Sequence, residues 1–450
     1  MKNLLMIAYH FHPDREVGAL RSVKFAKYLA EFGWRPHVLS VSGKYYGKRE
    51  SDPLDFECDI SRTSRWPVPD YFYMKFKQMI KGSLHTAKRS NDESTSSPDG
   101  ADPFSISKTP LWKRIIFSLS QTPDDKIGWL LPGIARGVRL ARKKNIDALY
   151  SSGSPWTSHL IGLGIKKITG IPWAADFRDP WMPLQKPSQF ITALSRKIEG
   201  WMERQVILNA DLVLTATPEH QAALIDNYTP HLDNKCRCIL NGFDLDDFKT
   251  APGPPPNRKL PRHFLHAGDL YFGRDPSKFL EAVGELISED SCRKENISIS
   301  FYGNIHLATG NINEIIDKFQ LQGTASFYPP VSRKEYLELI SGADFLILMQ
   351  SKLAPFQIPA KTYEYIATGN FILALVPHGS TFNLLRSFNN VYVADPDDKE
   401  EIKKIVAKAL CAFENKDNSI AGTPVMPNNL GRRHLTGKLA GMLDSITTTK

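Results

Sequence analysis

The feature that most constrains this chain is a rhythm. Short, nearly uninterrupted apolar runs alternate with amphipathic stretches, and the sequence goes through the pattern twice. The first pass holds NLLMIAY, RPHVLSV, IDALYSS, IPWAADF and ADLVLTAT. Apolar runs of this length without polar alternation suit strands buried on both faces, which occur in parallel sheets covered by crossover helices. The stretch ALRSVKFAKYLAEFGW supplies such a helix, with Leu20, Val23, Phe25, Ala26, Leu29 and Phe32 expected toward the core and Gly33 past its end. A proline-rich segment at 249–261, KTAPGPPPNRKLP, can sustain neither helix nor central strand. Beyond it the rhythm restarts as HFLHAG, PSKFLEAVGELI, ISISFYG, INEIIDKFQ, ASFYP, RKEYLELIS, DFLILMQ, AKTYEYIA and FILALV. The 450 residues exceed one ordinary core. The expected fold class is therefore α/β: two Rossmann-like doubly wound domains, 1–248 and 262–429, facing across a cleft. A terminal amphipathic helix is expected within 430–450. Ligands of such sheets bind beyond the carboxyl ends of the strands.

Two stretches interrupt the first pass. Residues 45–110 read as an insertion, and 90–102, SNDESTSSPDGAD, is expected to be disordered for want of apolar residues. Before it, residues 71–89 mix aromatic and methionine side chains with lysines, a pattern that fits a helix lying on an anionic bilayer or one packed on its own domain. The net charge of +9 is uneven. Residues 1–200 hold 31 Lys and Arg against 19 Asp and Glu, whereas residues 201–450 hold 26 against 29. An anionic partner of the first half is expected: a membrane surface, a phosphorylated substrate or nucleic acid. No nucleic-acid recognition motif or array of stacking aromatics accompanies the charge, so nucleic acid is not expected. Apolar runs stay short of the roughly 18 residues that span a bilayer, and the N-terminal run lacks a signal-peptide cleavage site. The five cysteines are scattered, as in a reduced, cytoplasmic protein, and Cys236 and Cys238 lack the companions of a metal site. Peripheral association with the inner face of the membrane is the corresponding expectation.

Neither the glycine-rich dinucleotide fingerprint nor a P-loop is present, which removes the main support for hydride transfer or P-loop NTPase chemistry. After the first strand, HFHPDREVGALR offers Gly18, where a ligand could approach the backbone. In GDLYFGRDPSK, Arg274 precedes a helix expected to have Asp275 at its N-cap and Pro276 at its first position, a place suited to phosphate. In FQIPAKTYEYIATGN, Lys361 falls in the first turn of a helix, where the macrodipole disfavours a cation unless an anion is also bound. Glu364 shares that face, either pairing with Lys361 or accepting hydrogen bonds from vicinal sugar hydroxyls. ADFRDPW ends a buried strand in charge: alternation puts Asp176 and Arg178 on one side and Asp179 on the other, as a substrate-facing group or a structural clasp.

Taken in order, YHFHPDREVGALRSVKFAKYLAEFGW, SGSPWTSHLIGLGIKKITGIPWAADFRDPW, LNADLVLTATPEH, ILNGFDLDDF, AGDLYFGR and IPAKTYEYIATGNFILAL resemble glycosyltransferase family 4, nucleotide-sugar-dependent enzymes of the GT-B fold. The resemblance covers most of the chain outside about 45–110. It implies a nucleoside diphosphate sugar as co-substrate, transfer with retention to a hydroxyl of a glycan or lipid-linked glycan, and no metal or other cofactor. It also implies donor contacts at Gly18, Arg274, Lys361 and Glu364, a structural turn at Asn241 and Gly242, and a terminal helix within 430–450 that crosses back to the first domain. The chain departs from the family at Asp269, where a second basic residue is usual, and at Phe356, eight residues before Glu364, where a glutamate is usual. Asp176, Arg178 and Asp179 are expected at the reacting sugar, with Asp176 ahead of Asp179 and Arg178 bracing the loop. Asp176→Asn is then expected to abolish transfer while sparing stability and nucleotide binding. The alternatives are a nucleotide-sugar epimerase of the same fold and a non-catalytic nucleotide-sugar-binding protein.

Overall fold

The first strand shows why the rhythm folds as it does. In β1 (Lys2–Ala8), Leu4, Leu5, Met6 and Ile7 are all fully buried, so both faces of the strand are covered. The computed structural model describes residues 1–47, 53–67, 118, 121–181, 192–232, 234–248, 260–271, 273–306, 312–414 and 427–448. They form two units: Met1–Thr215, Tyr228–Arg237 and Leu439–Lys450 make one, and Ala216–Asn227 and Cys238–Lys438 the other.

In unit 1, β1 is followed by β2 (Trp34–Val41), β3 (Asp59–Thr63), β4 (Ala148–Gly153), β5 (Trp173–Phe177), β6 (Leu212–Thr215) and β7 (Cys236–Cys238). The sheet order is β3-β2-β1-β4-β5-β6-β7. It switches direction between β1 and β4, the place where doubly wound sheets open a crevice. Strand β3 lies inside the stretch expected to be an insertion. It extends the sheet edge in parallel register with β2, from His37 opposite Asp59 to Val41 opposite Thr63. The helices of unit 1 are α1 (Val17–Leu29), α2 (Leu130–Lys143), α3 (Thr157–Thr169) and α4 (Ala193–Asn209); α5 (Pro218–Tyr228) follows. Helix α1 buries Ala19, Arg21, Ser22, Phe25, Ala26, Tyr28 and Leu29, while Phe32 is 37% exposed. Its inner face is rotated from the expected apolar stripe, because Arg21 turns inward to a carboxylate.

In unit 2 the strands are β8 (Arg262–Ala267), β9 (Leu270–Tyr271), β10 (Ile297–Tyr302), β11 (Ile305–His306), β12 (Ala325–Tyr328), β13 (Phe345–Met349), β14 (Phe371–Leu375) and β15 (Val391–Ala394). The main sheet runs β12-β10-β8-β13-β14-β15, with β9 and β11 as a separate pair. Helices α6 (Ser277–Glu289), α7 (Ile312–Lys318), α8 (Arg333–Gly342), α9 (Ala360–Thr368), α10 (Ser380–Leu385) and α11 (Lys399–Glu414) connect them. Alternation along β8 sends Phe264 into one core, with Phe279, Val283 and Val406, and Leu265 into the other, with Ile340, Tyr363 and Ile366.

Gly242 has φ +63°, and a methyl there would lie 2.3 Å from the Leu430 carbonyl oxygen, so the Asn241–Gly242 turn is held by close backbone approach. The last helix, α12 (Arg432–Thr447), starts among residues of unit 2, and from Leu439 onward it belongs to unit 1. There Lys2 Nζ donates to Asp444 at 2.8 Å. Most of the proline-rich segment, the stretch expected to be disordered and the amphipathic 71–89 stretch lie outside the described residues. Among the described residues no helix is long and apolar enough to cross a membrane.

Candidate functional site

At the switch point of unit 2, β8 ends in Ala267-Gly268 and β13 in Met349-Gln350. Two cations converge here. Lys361, in the first turn of α9, lays its side chain over Gly268: a methyl on that glycine, whose φ is +156°, would sit 1.3 Å from Lys361 Nζ. Among the described residues Lys361 makes no hydrogen bond or ion pair. Burial and the Arg274 guanidinium push its ammonium down to about 8, against the pull of Glu364 and Asp269. Arg274 lies on the ring of Tyr271, 4.8 Å from its centroid, and its Nε is buried without a hydrogen-bond partner among the described residues. Beneath them His266 donates from Nδ1 to the Ile347 carbonyl at 2.9 Å. Burial and the Lys361 charge lower it to about 3, so the imidazole is neutral.

A cavity of about 370 Å³ opens beside Arg274, lined also by Gly273, Met349, Gln350, Ser351 and Asp397. Gln350 donates from Nε2 to the carbonyls of Ala354 and Gln357, at 2.8 and 2.9 Å, which fixes the loop after β13. Its buried Oε1 has no partner among the described residues. Helix α6 begins at Ser277, one residue later than expected. Asp275 still caps it in effect, accepting from the Ser277 amide at 2.9 Å and hydroxyl at 2.6 Å.

Glu364 does not pair with Lys361. Its Oε1 meets Arg333 Nη1 at 2.7 Å and its Oε2 accepts from the Tyr336 hydroxyl at 2.6 Å. Its side chain is only 10% exposed, and each oxygen keeps one further lone pair for a ligand. Asp269 is committed to structure, accepting at Oδ1 from the Asn304 amide and side chain at 2.9 and 3.1 Å. At Phe356 the backbone is engaged: its carbonyl accepts from Thr217 Oγ1 at 2.7 Å.

Unit 1 corrects the expectation for ADFRDPW. Asp176 is fully buried and bound bidentately by Arg21, Nε to Oδ2 at 2.7 Å and Nη2 to Oδ1 at 2.9 Å, and Oδ2 also accepts from the Tyr150 hydroxyl. The carboxylate is spent on a buried clasp between β5, β4 and α1, leaving no exposed oxygen for a substrate hydroxyl. The expected alternation also fails one residue later, because β5 ends at Phe177 and the Arg178 amide donates back to the Asp176 carbonyl at 2.9 Å. Arg178 and Asp179 therefore pair with each other, Nη2 to Oδ2 at 2.8 Å, instead of facing opposite sides. Arg178 also donates from Nη1 to the Gly18 carbonyl at 2.6 Å and from Nη2 to Ser154 Oγ at 3.2 Å, tying together the loops at the switch point. A methyl at Gly18 would sit 2.2 Å from Arg178 Nη1, so the space over this glycine is filled by Arg178 and is not open to a donor phosphate. Asp179, with 30% of its side chain exposed, is the carboxylate of the motif that remains accessible.

Sequence reasoning missed Gly268, Arg333 and Tyr336 in unit 2, and Arg21 and Tyr150 in unit 1. Arg21 did carry a signal, a charged residue at a position whose neighbours predict burial.

Solved structures with the same pair of doubly wound sheets match this chain over its whole length. A sucrose-phosphate synthase from Thermosynechococcus elongatus matches with TM-score 0.62 and 12% identity, covering 100% of both chains. A glycosyltransferase from Rickettsia africae matches with TM-score 0.58 and 14% identity, over 100% of this chain and 99% of that one. Anabaena HepE in complex with UDP matches with TM-score 0.55 and 13% identity, over 100% and 98%. The fold is GT-B. No family model matches the sequence, and no curated protein does. In this GT-B chain Arg274 lies in the loop between β9 and α6 and Lys361 in the first turn of α9, whereas Asp176 and Arg178 are consumed in building unit 1.

Proposed function

We propose that the protein is a nucleotide-sugar-dependent glycosyltransferase whose donor diphosphate is held in unit 2. The observation that carries this reading is the pair Lys361 and Arg274, two cations brought together at the switch point with neither in an ion pair among the described residues. A diphosphate supplies the missing charge, and bond cleavage makes that charge grow on the leaving group, so the same cations stabilise the transition state more than the bound donor. Glu364, oriented by Arg333 and Tyr336, is suited to accept from the ribose hydroxyls of the nucleotide. Transfer is proposed to proceed with retention to a hydroxyl of a glycan or lipid-linked glycan, in cell-surface polysaccharide or glycolipid synthesis at the inner face of the membrane. The diphosphate charge is met by side chains, so the reading requires no metal. The fold shared with HepE, which was solved with UDP, supports a uridine nucleotide as the first one to try.

The test is thermal stabilisation by UDP and by a panel of nucleoside diphosphate sugars, followed by turnover with acceptors. Wild type is expected to be stabilised, and the Arg274→Gln, Lys361→Met double variant is not. Absence of stabilisation by every nucleotide tried refutes the reading. An altered sugar recovered after incubation with donor alone assigns an epimerase instead, and tight binding without turnover across donors and acceptors assigns a binding protein.

A further inference from the structure

A second set of cations, without an ion-paired carboxylate among the described residues, lies in unit 1 at the carboxyl ends of β1, β2 and β3. Arg65, two residues after β3, lies on the ring of Tyr45, 4.9 Å from its centroid, and donates from Nη1 to the Tyr9 hydroxyl at 3.3 Å. Tyr45 in turn donates to the Arg65 carbonyl at 3.2 Å, so ring and guanidinium hold each other. Lys44 is exposed and lies 5.1 Å from the same ring centroid. Arg62 donates to the carbonyls of Val41 and His12, at 2.9 Å to the former, joining the loops that follow β1 and β2. Among the described residues Arg62, Arg65 and Lys44 make no ion pair. The nearby acids have other partners: Asp125 pairs with Lys126, Asp14 with His10, and Asp124 accepts from the Thr157 amide and hydroxyl at 2.9 and 2.7 Å. Tyr9 is fully buried, so its hydroxyl positions the Arg65 guanidinium and does not itself reach a ligand.

We propose that Arg65 and Lys44, with Arg65 held in place by the buried Tyr9 hydroxyl and the loops joined by Arg62, bind the phosphate of a phosphorylated acceptor. Three features fit a phosphate. A guanidinium with unused N–H groups can grip two of its oxygens at once. Stacking on Tyr45 pre-organises that guanidinium, so less entropy is lost on binding. The position at strand ends of a doubly wound sheet is where ligands of such units bind. As the acceptor half of a transferase the site rests on the reading above, whereas its capacity to hold phosphate does not. The phosphate could belong to a soluble sugar phosphate or to a lipid-linked diphosphate, and the chemistry of recognition is shared.

The test uses the full chain carrying Arg274→Gln and Lys361→Met, so that the unit 2 cations do not contribute, and reads tryptophan fluorescence or calorimetry with inorganic pyrophosphate, glucose 1-phosphate and farnesyl diphosphate. Salt-dependent binding that weakens about tenfold or more with Arg65→Gln is expected. Lys44→Ala, at an exposed residue without hydrogen bonds, is expected to weaken binding less and to flatten the salt dependence. It serves as the test should Arg65→Gln fail to fold. Tighter binding of glucose 1-phosphate assigns the soluble source and tighter binding of farnesyl diphosphate the lipid source, both in support. Binding unchanged by Arg65→Gln and Lys44→Ala overturns the proposal, as does binding to phosphatidylglycerol vesicles without any to the three phosphates. Loss of UDP binding by wild type with this phosphate binding intact defeats the transferase reading alone.

Discussion

Asp176→Asn decides between a substrate-facing and a structural ADFRDPW. The side chains of Arg21 and Asp176 are 2% and 0% exposed and joined by two hydrogen bonds. Removing the carboxylate charge leaves a guanidinium buried without its counter-ion, and breaking a buried pair in this way costs about 3–5 kcal/mol. For a body of 150–250 residues, each kcal/mol lowers the melting temperature by about 2–4 °C. The unit 1 transition should therefore fall by roughly 6–20 °C in calorimetry, with UDP binding in unit 2 retained by whatever fraction stays folded. Replacing the whole cluster with apolar side chains, as Arg21→Met, Tyr150→Phe and Asp176→Leu together, removes the orphaned charge and the orphaned hydroxyl at once. That triple variant should recover most of the lost stability, because a buried ion pair exchanged for well-packed apolar groups is often near neutral. An Asp176→Asn protein that melts within about 1 °C of wild type yet transfers no sugar would refute this reasoning and return Asp176 to the reaction.

Two further predictions concern Lys361. Its ammonium loses its proton above about pH 8 in the free protein, so UDP affinity should weaken by up to about tenfold per pH unit beyond that point, and a flat profile from about pH 7 to 9.5 would contradict the assigned role. Stability runs the other way: the unfolded chain holds the proton between about 8 and the free-lysine value of 10.5, so this group's unfavourable contribution is relieved as pH rises across that window. Gly268→Ala places a methyl 1.3 Å from Lys361 Nζ at a φ of +156°, which side chains rarely adopt, so the melting temperature should fall somewhat and UDP binding by about tenfold or more while circular dichroism stays native; unchanged affinity would show that the ammonium need not rest on this glycine.

The two sheets were legible in the sequence, because apolar runs without polar alternation, as in β1, β5, β8, β13 and β14, suit strands covered on both faces by crossover helices. The sequence also marked Arg274 as following a strand end and Lys361 as lying in the first turn of a helix, since turn and helix-start residues signal those places locally. Strand β3 was not legible, because DISRT carries little of the apolar signal that marks a strand and owes its place to pairing with β2. What each charge does was decided by tertiary structure alone. Asp176 and Arg178 lie two residues apart, yet one is consumed by Arg21 from a helix 155 positions away and the other by the backbone of Gly18. Glu364 and Lys361 share a helical turn, yet Arg333 and Tyr336 arrive from α8 to claim the glutamate, leaving the lysine without an ion pair among the described residues. Local pattern records that a residue is charged; only packing records which charges are already neutralised, and at buried positions that difference separates a structural clasp from a site that needs a ligand.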